Sequence, residues 1–276
     1  MRIYLSADIE GVAGIASREQ MSPEGKHWDE GRTLMTEETN AAIKGAFDAG
    51  ANYVMVNDSH GHMHNIKPDK LDPRAELSQG YPKPLYMMEG IMDGYDLAFF
   101  VGYHAMVGTA EGVFNHSYIG RGVYNVRVNG VPMSESGLNG KLAGHFGVPV
   151  GLVTGDQNII EQTKRFAPGI EGVVVKHGQG RASARSLAPA KARELIYEGA
   201  VRAVHAHKEG KPDRLMKEKT PVKWEVDTVA TLMADLACLV PGVTRTAGRT
   251  VAWKSKDYYE GFKTFMAVTT LFYTVL

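Results

Sequence analysis

Cysteine is almost absent from this chain of 276 residues, which contains only Cys238. A single thiol excludes an internal disulfide framework and a cysteine-rich zinc site, and it suits a reducing compartment such as the cytosol. Any metal ion would therefore be bound by oxygen and nitrogen ligands.

An excess of charge of either sign is also missing, because 31 basic residues balance 31 acidic residues. Such a chain has no overall field that favours nucleic acid or an anionic membrane surface. The N-terminus lacks the basic, apolar and small-residue blocks of a signal peptide. These absences predict a cytoplasmic protein that binds neither nucleic acid nor membranes.

Long hydrophobic runs are absent as well. The most apolar stretch, "FMAVTTLFYTVL" at residues 265–276, is too short to cross a bilayer and contains three threonines. We expect it to form a helix in the core or at a subunit interface rather than a membrane anchor.

What the sequence does contain is an alternation of strand-like and helical segments. Helical patterns over about 29–47, 157–167 and 189–208 separate short apolar runs rich in β-formers. The predicted strands are "RIYL" at 2–5, "NYVMV" at 52–56, "DLAFFVGY" at 96–103, "PVGLV" at 149–153 and "GVVVK" at 172–176. This order predicts a layered α/β fold with a mainly parallel sheet flanked by helices.

The sequence also predicts an inserted β-hairpin, because Asn129-Gly130 is flanked by alternating apolar residues. From residue 211 the chain is polar and proline-flanked, and it continues into "VKWEVDT", a helix near 229–239, "RTVAWKS" and the final helix. We therefore expect a catalytic α/β domain over 1–210. Residues 211–276 would form a smaller C-terminal lobe or a continuation of the same domain.

Polar side chains follow several of the predicted strands, at the edge of an open α/β sheet where ligands bind. If the first strand continues through "SADIEG", alternation places Asp8 and Glu10 on one side of it. Two close carboxylates repel each other, so solvent, a basic partner, a shared proton or a bound cation must offset the repulsion. Later segments add His60, His104, His116 and Glu135; the last is expected on the return strand of the hairpin.

Histidine and carboxylate gathered at strand ends are typical of a site for zinc or manganese. Five side chains, Asp8, Glu10, His60, His104 and Glu135, supply three bonds to each of two ions if Asp8 is shared. Each ion would then keep an open position. This is the arrangement of two-metal hydrolases, in which the ions lower the pKa of a shared water and polarise a carbonyl.

Each residue taken alone also fits a simpler role. Asp8 and Glu10 suit a solvated strand end or a helix cap, and His104 suits a hydrogen-bonded core histidine. Glu135 suits the first turn of the next helix, where a carboxylate complements the helix dipole. His116 suits a strand histidine bonded to a neighbour. We expect His62 and His64 to face solvent or to lie behind the ligands, and we assign no role to His27, His145, His177, His205 and His207.

Two common motifs give no further support. "GQGRAS" at 178–183 is a weak phosphate-loop lookalike without a P-loop lysine, and no HExxH stretch is present.

Five motifs together resemble one known family. "SADIEG", "NDSHGHMHN", "GYHA", "NHS" and "SESGLN" occur in this order over residues 1 to about 160. They are similar to the motifs of the zinc-dependent D-aminopeptidases, a family of bacterial and archaeal DppA-like metallopeptidases. Ser6, Asp8, Glu10 and Gly11 match the S-x-D-x-E-G signature of that family.

The resemblance implies a set of roles. Asp8 would bridge two zinc ions, and Glu10, His60, His104 and Glu135 would complete their shells. His116 matches the catalytic histidine of the family. The resemblance further implies short peptide substrates with an N-terminal D-residue such as D-alanine, and a decameric ring whose sites face an inner channel. The "GHMH" loop is richer in histidine than the family pattern, and manganese or another divalent ion is the alternative to zinc.

Two other functional classes remain open at this point. One is a different metal-dependent amidohydrolase, or a hydrolase of L-peptides, on the same scaffold. The other is a non-catalytic module that binds metal or a metabolite. Open coordination positions favour catalysis, because structural zinc sites are usually closed by four ligands.

Overall fold

The computed structural model describes residues 1–211 and 215–276. Residues 212–214, in the polar segment predicted to precede a second lobe, lie outside the described residues. The helices are α1 (Trp28–Asp48), α2 (Glu135–His145), α3 (Gln157–Lys164), α4 (Pro189–Lys208), α5 (Thr231–Ala237) and α6 (Tyr258–Phe272). Short 3₁₀ turns lie at Arg18–Gln20, Tyr86–Met88 and Tyr273–Val275.

The strands form two sheets. They are β1 (Arg2–Ala7), β2 (Tyr53–Asp58), β3 (Glu76–Ser78), β4 (Leu97–Tyr103), β5 (Val123–Val128), β6 (Val131–Pro132), β7 (Val150–Asp156), β8 (Glu171–Gly180), β9 (Ser183–Ser186), β10 (Val222–Thr228), β11 (Thr244–Ala247) and β12 (Thr250–Ser255). The first sheet has the order β3-β2-β1-β4-β7-β8-β9, and only β9 runs antiparallel to its neighbour. The predicted layered α/β fold with a mainly parallel sheet is therefore confirmed.

Helices cover both faces of the first sheet, as the alternation of side chains along β1 shows. Ile3 and Leu5 join the apolar cluster that contains α1 and α4. Tyr4, between them, joins the cluster that contains α2 and α6. Strand residues buried on both faces give the near-continuous apolar runs seen in the sequence.

The second sheet is antiparallel and has the order β11-β12-β10-β5-β6. The predicted hairpin is confirmed: β5 pairs with β6 across Asn129 and Gly130, whose φ angles are 49° and 81°. Positive φ at both central residues is the geometry of the tight hairpin turn that Asn-Gly favours. Strand β5 also pairs with β10, so the hairpin and the C-terminal segment build one sheet. The domain division at 210/211 stays a prediction.

One face of the final helix, which contains most of the apolar C-terminal stretch, lies in the core of this chain, whereas residues 273–276 are exposed. Phe262, Phe265 and Phe272 of α6 are fully buried against the second sheet and its surroundings. None of the described helices combines the length and the apolar character needed to span a membrane.

The fold brings three strand ends together. In the parallel register, Ala7 at the end of β1 lies beside Asp58 of β2 and Val101 of β4. The segments that leave these strands therefore emerge at one edge of the sheet, where ligands of open α/β folds bind.

Candidate metal centre

The first two carboxylates are placed by a turn and not by a strand. Strand β1 ends at Ala7, so the condition that it continues through Asp8 and Glu10 is not met. Beyond the strand the chain turns, and the Gly11 amide donates to the Gly102 carbonyl at 2.7 Å. Both carboxylates still meet His60, whose Nδ1 lies 2.8 Å from Glu10 Oε2 and 3.3 Å from Asp8 Oδ1.

Two features hold this turn against the sheet. A Cβ on Gly11 would lie 1.9 Å from the Tyr103 carbonyl oxygen, so only glycine allows this approach of two backbones. Lys176, fully buried, donates to the carbonyl oxygens of Glu10, Val12 and Ile15. Burial lowers the pKa of Lys176 to about 8, against the opposing pull of nearby carboxylates. The turn that carries Glu10 is therefore fixed by a buried cation.

The second half of the centre consists of His104 and Glu135. His104 follows β4, and its Nε2 lies 3.4 Å from Glu135 Oε2 and 3.7 Å from Asp8 Oδ2. The return strand β6 ends at Pro132, so placing Glu135 on that strand is wrong. Glu135 is instead the first residue of α2, directly after the N-cap Ser134. It therefore lies in the first turn of a helix and also contacts His104.

His116 comes from the loop between β4 and β5, not from a strand. Its ring stacks on that of His104, with centroids 4.3 Å apart. Its Nδ1 lies 2.8 Å from the Phe114 carbonyl oxygen and donates to it in the tautomer that leaves Nε2 unprotonated. Nε2 then faces the carboxylates, 3.7 Å from Glu135 Oε1 and 4.0 Å from Glu10 Oε1.

Burial and opposite charge compete throughout the cluster. Burial and repulsion by Glu10 raise the pKa of Asp8 well above its usual value. Burial would also raise the pKa of Glu10, but His60 outweighs it and holds that pKa well below the usual range. Burial lowers the pKa of the two imidazoles, yet the carboxylates win, so the pKa of His60 lies well above its usual value and that of His104 is about 10. The cluster therefore retains protons at neutral pH unless another cation replaces them.

The donor set fits a divalent metal. Asp8 Oδ2 and His104 Nε2 are buried and have no hydrogen-bond partner among the described residues. Such orphaned atoms are rare in native structures and call for an explanation such as an ion. Ligand atoms lie within 4.8 Å of one another in two triads that share Asp8, namely Asp8–Glu10–His60 and Asp8–His104–Glu135. Oxygen and imidazole nitrogen are ligands that zinc accepts.

A third group also meets this distance criterion and consists of Glu10, His104 and His116. The structure thus brings all six predicted site residues together, while their roles as ligand or catalyst stay predictions.

Neighbouring polar residues have other tasks. The buried Asp58 carboxylate accepts hydrogen bonds from the Asn65 and Ile66 amides at 2.6 and 2.7 Å and so shapes the loop after β2. His62 and His64 of the same loop are exposed to solvent.

The sequence analysis missed three tyrosines at this site. Tyr86, Tyr118 and Tyr273 line the cavity of about 100 Å³ that also contains Asp8, His60, His116 and Glu135. The hydroxyl oxygens of Tyr86 and Tyr273 are 3.1 Å apart. Tyr118 follows the "NHS" motif by one residue, which was the only available signal. Nothing in the sequence indicates that the C-terminal Tyr273 returns to the site.

Comparisons with known proteins agree with one another. The model of the peptidase family M55, described as D-aminopeptidase, matches residues 1–267. A D-aminopeptidase of Bacillus subtilis (strain 168) is 35% identical over 272 residues, which cover 98% of this chain and 97% of that protein. The solved structure of the Zn-dependent D-aminopeptidase DppA from Bacillus subtilis, a self-compartmentalizing protease, is similar with a TM-score of 0.93 and 33% identity. That similarity covers 98% of this chain and 97% of the other.

Proposed function

Because the chain belongs to the D-aminopeptidase family M55 and is a peptidase, we propose that it removes N-terminal D-amino acids such as D-alanine from short peptides, with two zinc ions per chain. The family resemblance of the sequence motifs is confirmed by these matches. The D-residue preference and the number of ions belong to the proposal.

The observation that carries the proposal is that Asp8 belongs to both triads of candidate ligands. Asp8, Glu10 and His60 would hold one ion, and Asp8, His104 and Glu135 would hold the other. When bound, zinc supplies Lewis-acid chemistry that acidifies water and polarises the scissile carbonyl. Manganese accepts the same donors, so the identity of the metal is part of the test.

His116 is the residue best placed to move protons. Burial and repulsion by His104 lower its pKa, so the imidazole is neutral near pH 7 and Nε2 is free to accept a proton. The same atom would return that proton to the leaving amine, as a general acid does. Once protonated, the ring would also stabilise negative charge that develops on the substrate oxygen.

The assembly and the compartment are also proposals. The relative DppA is a self-compartmentalizing protease, and we propose that this chain likewise forms a ring, a decamer, whose inner channel admits short peptides. Exposed apolar side chains at Leu232 and Leu239 support a subunit contact, since Leu239 is 72% exposed. We further propose that the protein works in the cytoplasm.

The experiment that tests this function compares D-Ala-D-Ala with L-Ala-L-Ala on purified protein of known metal content. We expect hydrolysis of the D,D-dipeptide, loss of activity with a chelator, and recovery with zinc. Preference for the L,L-dipeptide would favour an L-peptide hydrolase. Bound metal without chelator-sensitive turnover of either peptide would favour a binding module.

A further inference from the structure

Three arginines converge on a second cavity beside the metal centre. This cavity of about 300 Å³ has Glu10 and His116 in its wall, so it opens directly onto the proposed reaction site. Its arginines come from three separate segments: Arg18 from the first 3₁₀ turn, Arg121 from the loop before β5, and Arg181 from the tip of the β8–β9 hairpin.

The three arginines are exposed to solvent. Within residues 1–211 and 215–276, no carboxylate forms an ion pair or a hydrogen bond with any of them. By contrast, Arg202 and Arg245 are paired with Glu171 and Asp235. Among the described residues of the cavity wall, Glu10 has an acidic side chain, and its Oε2 is bonded to His60. Leu276, the last residue of the sequence, also lines the wall and carries a main-chain carboxylate. The three arginines outnumber these acidic groups, so the cavity carries an excess of positive charge next to His116.

Two of these arginines are linked to the loop between β4 and β5 that carries His116. The Arg181 carbonyl oxygen accepts a hydrogen bond from the Phe114 amide at 2.8 Å, and the Phe114 carbonyl in turn binds His116 Nδ1. Next to Arg121, Gly120 lies so close that an added Cβ would be 3.1 Å from His116 Cβ. The "GQGRAS" stretch forms the tip of the β8–β9 hairpin and places Arg181 in the same cavity wall as His116.

The third cavity at the site is less suited to an anion. It has a volume of about 790 Å³, shares Tyr86, Tyr118 and Tyr273 with the metal pocket, and is lined mainly by apolar side chains. Of its two lysines, Lys83 donates to the side chain of Asn57 and the carbonyl of Asp58, and Lys263 lies 4.4 Å from the Tyr259 ring centroid. The arginine cavity therefore holds three cationic side chains in about 300 Å³, against two lysines in about 790 Å³.

We propose that Arg18, Arg121 and Arg181 bind the C-terminal carboxylate of the peptide substrate and so select short peptides with a free carboxyl end. The inference rests on the proposed function, since a short peptide places its carboxylate only a few bonds beyond the cleaved amide. Guanidinium groups bind carboxylates in a planar, bidentate manner, which makes arginine the suitable residue for this task.

The position of His116 also explains why the substrate carboxylate would belong to the fragment that leaves with the amine. Nε2 of His116 must reach the leaving amine in order to protonate it, and the arginine cavity shares the His116 wall. The fragment that departs with that amine carries the carboxylate into this cavity. Longer peptides would place their carboxylate elsewhere and lose the contact.

The test compares D-Ala-D-Ala with its C-terminal amide, D-Ala-D-Ala-NH₂, on the zinc-loaded enzyme. In the unchanged protein we expect kcat/KM for the acid to exceed that for the amide by about 10- to 100-fold, the usual effect of a hydrogen bond to a charged group. The difference should lie mainly in KM, because the contact is remote from the bond that breaks.

The Arg121→Gln/Arg181→Gln variant should reduce the ratio of acid to amide to near one. Arg185→Gln is the matched control, because Arg185 is an exposed arginine of the same hairpin that does not line the cavity. An equal loss for acid and amide in the double variant, with the ratio preserved, would overturn the inference.

Peptidase activity and carboxylate binding can be refuted separately. If the enzyme hydrolyses acid and amide equally well and both reactions need zinc, the peptidase proposal stands and the carboxylate site is refuted. If neither is hydrolysed, the proposed function fails and the inference fails with it. Binding can also be measured without turnover, with a dipeptide isostere that lacks the cleavable amide. The Arg121→Gln/Arg181→Gln variant should bind the isostere with a free carboxylate about tenfold more weakly, or worse, than the unchanged protein does.

Discussion

The imidazole rings of His104 and His116 are stacked, with centroids 4.3 Å apart and planes inclined by 9°. Two protonated rings at this distance would repel each other, and the neighbouring groups favour a proton on only one of them. Carboxylates raise the pKa of His104 to about 10, despite the opposing effect of burial, whereas burial and His104 itself lower the pKa of His116. Neighbouring groups whose pKa values are driven apart commonly have different roles in catalysis.

This division predicts the effect of His116→Ala. The variant should keep its metal and its thermal stability, because His116 belongs to neither of the two triads that share Asp8. Its kcat should fall by roughly 10²- to 10⁴-fold, the usual contribution of positioned proton transfer. Steady-state kinetics and metal analysis on the same sample measure both quantities.

Two results would contradict this role. Loss of metal would make His116 a ligand in the third group, with Glu10 and His104. Retention of both metal and rate would make the histidine structural.

A second prediction concerns pH. The pKa of His60 lies well above its usual value and that of His104 is about 10, so both rings hold protons at neutral pH when no metal competes. A ligating imidazole must be neutral, so zinc binding releases protons and zinc affinity rises with pH. Activity should therefore fall on the acid side together with metal content, measured at each pH after equilibration. A fall in rate at constant metal content would assign the acid limb to another group.

A third prediction tests the turn that carries Glu10. Gly11→Ala should destabilise the protein by about 2–4 kcal/mol, since the new methyl group would overlap the Tyr103 carbonyl and force two backbones apart. Gly248→Ala is the control, because Gly248 is exposed and has no atom within 4 Å of an added Cβ. The control should change stability by about 0.5 kcal/mol or less. Thermal denaturation that does not distinguish the two variants would show that the approach at Gly11 is not required.

A fourth prediction concerns assembly. Light scattering at micromolar concentration should give a mass several times the 30.1 kDa of one chain. Casein should be a poor substrate beside a dipeptide, because a channel excludes folded and large polypeptides. A species of 30.1 kDa with full activity would refute the proposal that the active sites lie inside an oligomeric ring.

Much of the fold was predictable because its signals are local. Helix α4 begins and ends at the predicted Pro189 and Lys208, with proline in the first turn, where it is best tolerated. The hairpin followed from Asn129-Gly130 and the alternating apolar residues on either side of it. Pairing of β5 with β10 was not predictable, because it joins residues about a hundred positions apart and depends on packing that no local pattern encodes.

The candidate site divides in the same way. His60 and His104 could be foreseen because parallel strands end at a common edge, so residues just beyond them converge. The placement of Glu10 could not, since it depends on the contact of Gly11 with β4 and on Lys176, a buried cation from a distant strand. Likewise, nothing in "GQGRAS" indicated that the hairpin tip would carry Arg181 to the wall beside His116.

The central claim is that one carboxylate, Asp8, joins two metal sites, and metal analysis of Asp8→Ala tests it most directly. The unchanged protein should contain about two equivalents of zinc per chain, and Glu10→Gln and Glu135→Gln should each lose mainly one, because each belongs to only one of the two triads that share Asp8. Asp8→Ala should lose most of both, since each triad would keep only two ligands. Retention of one full equivalent in Asp8→Ala would contradict a shared ligand.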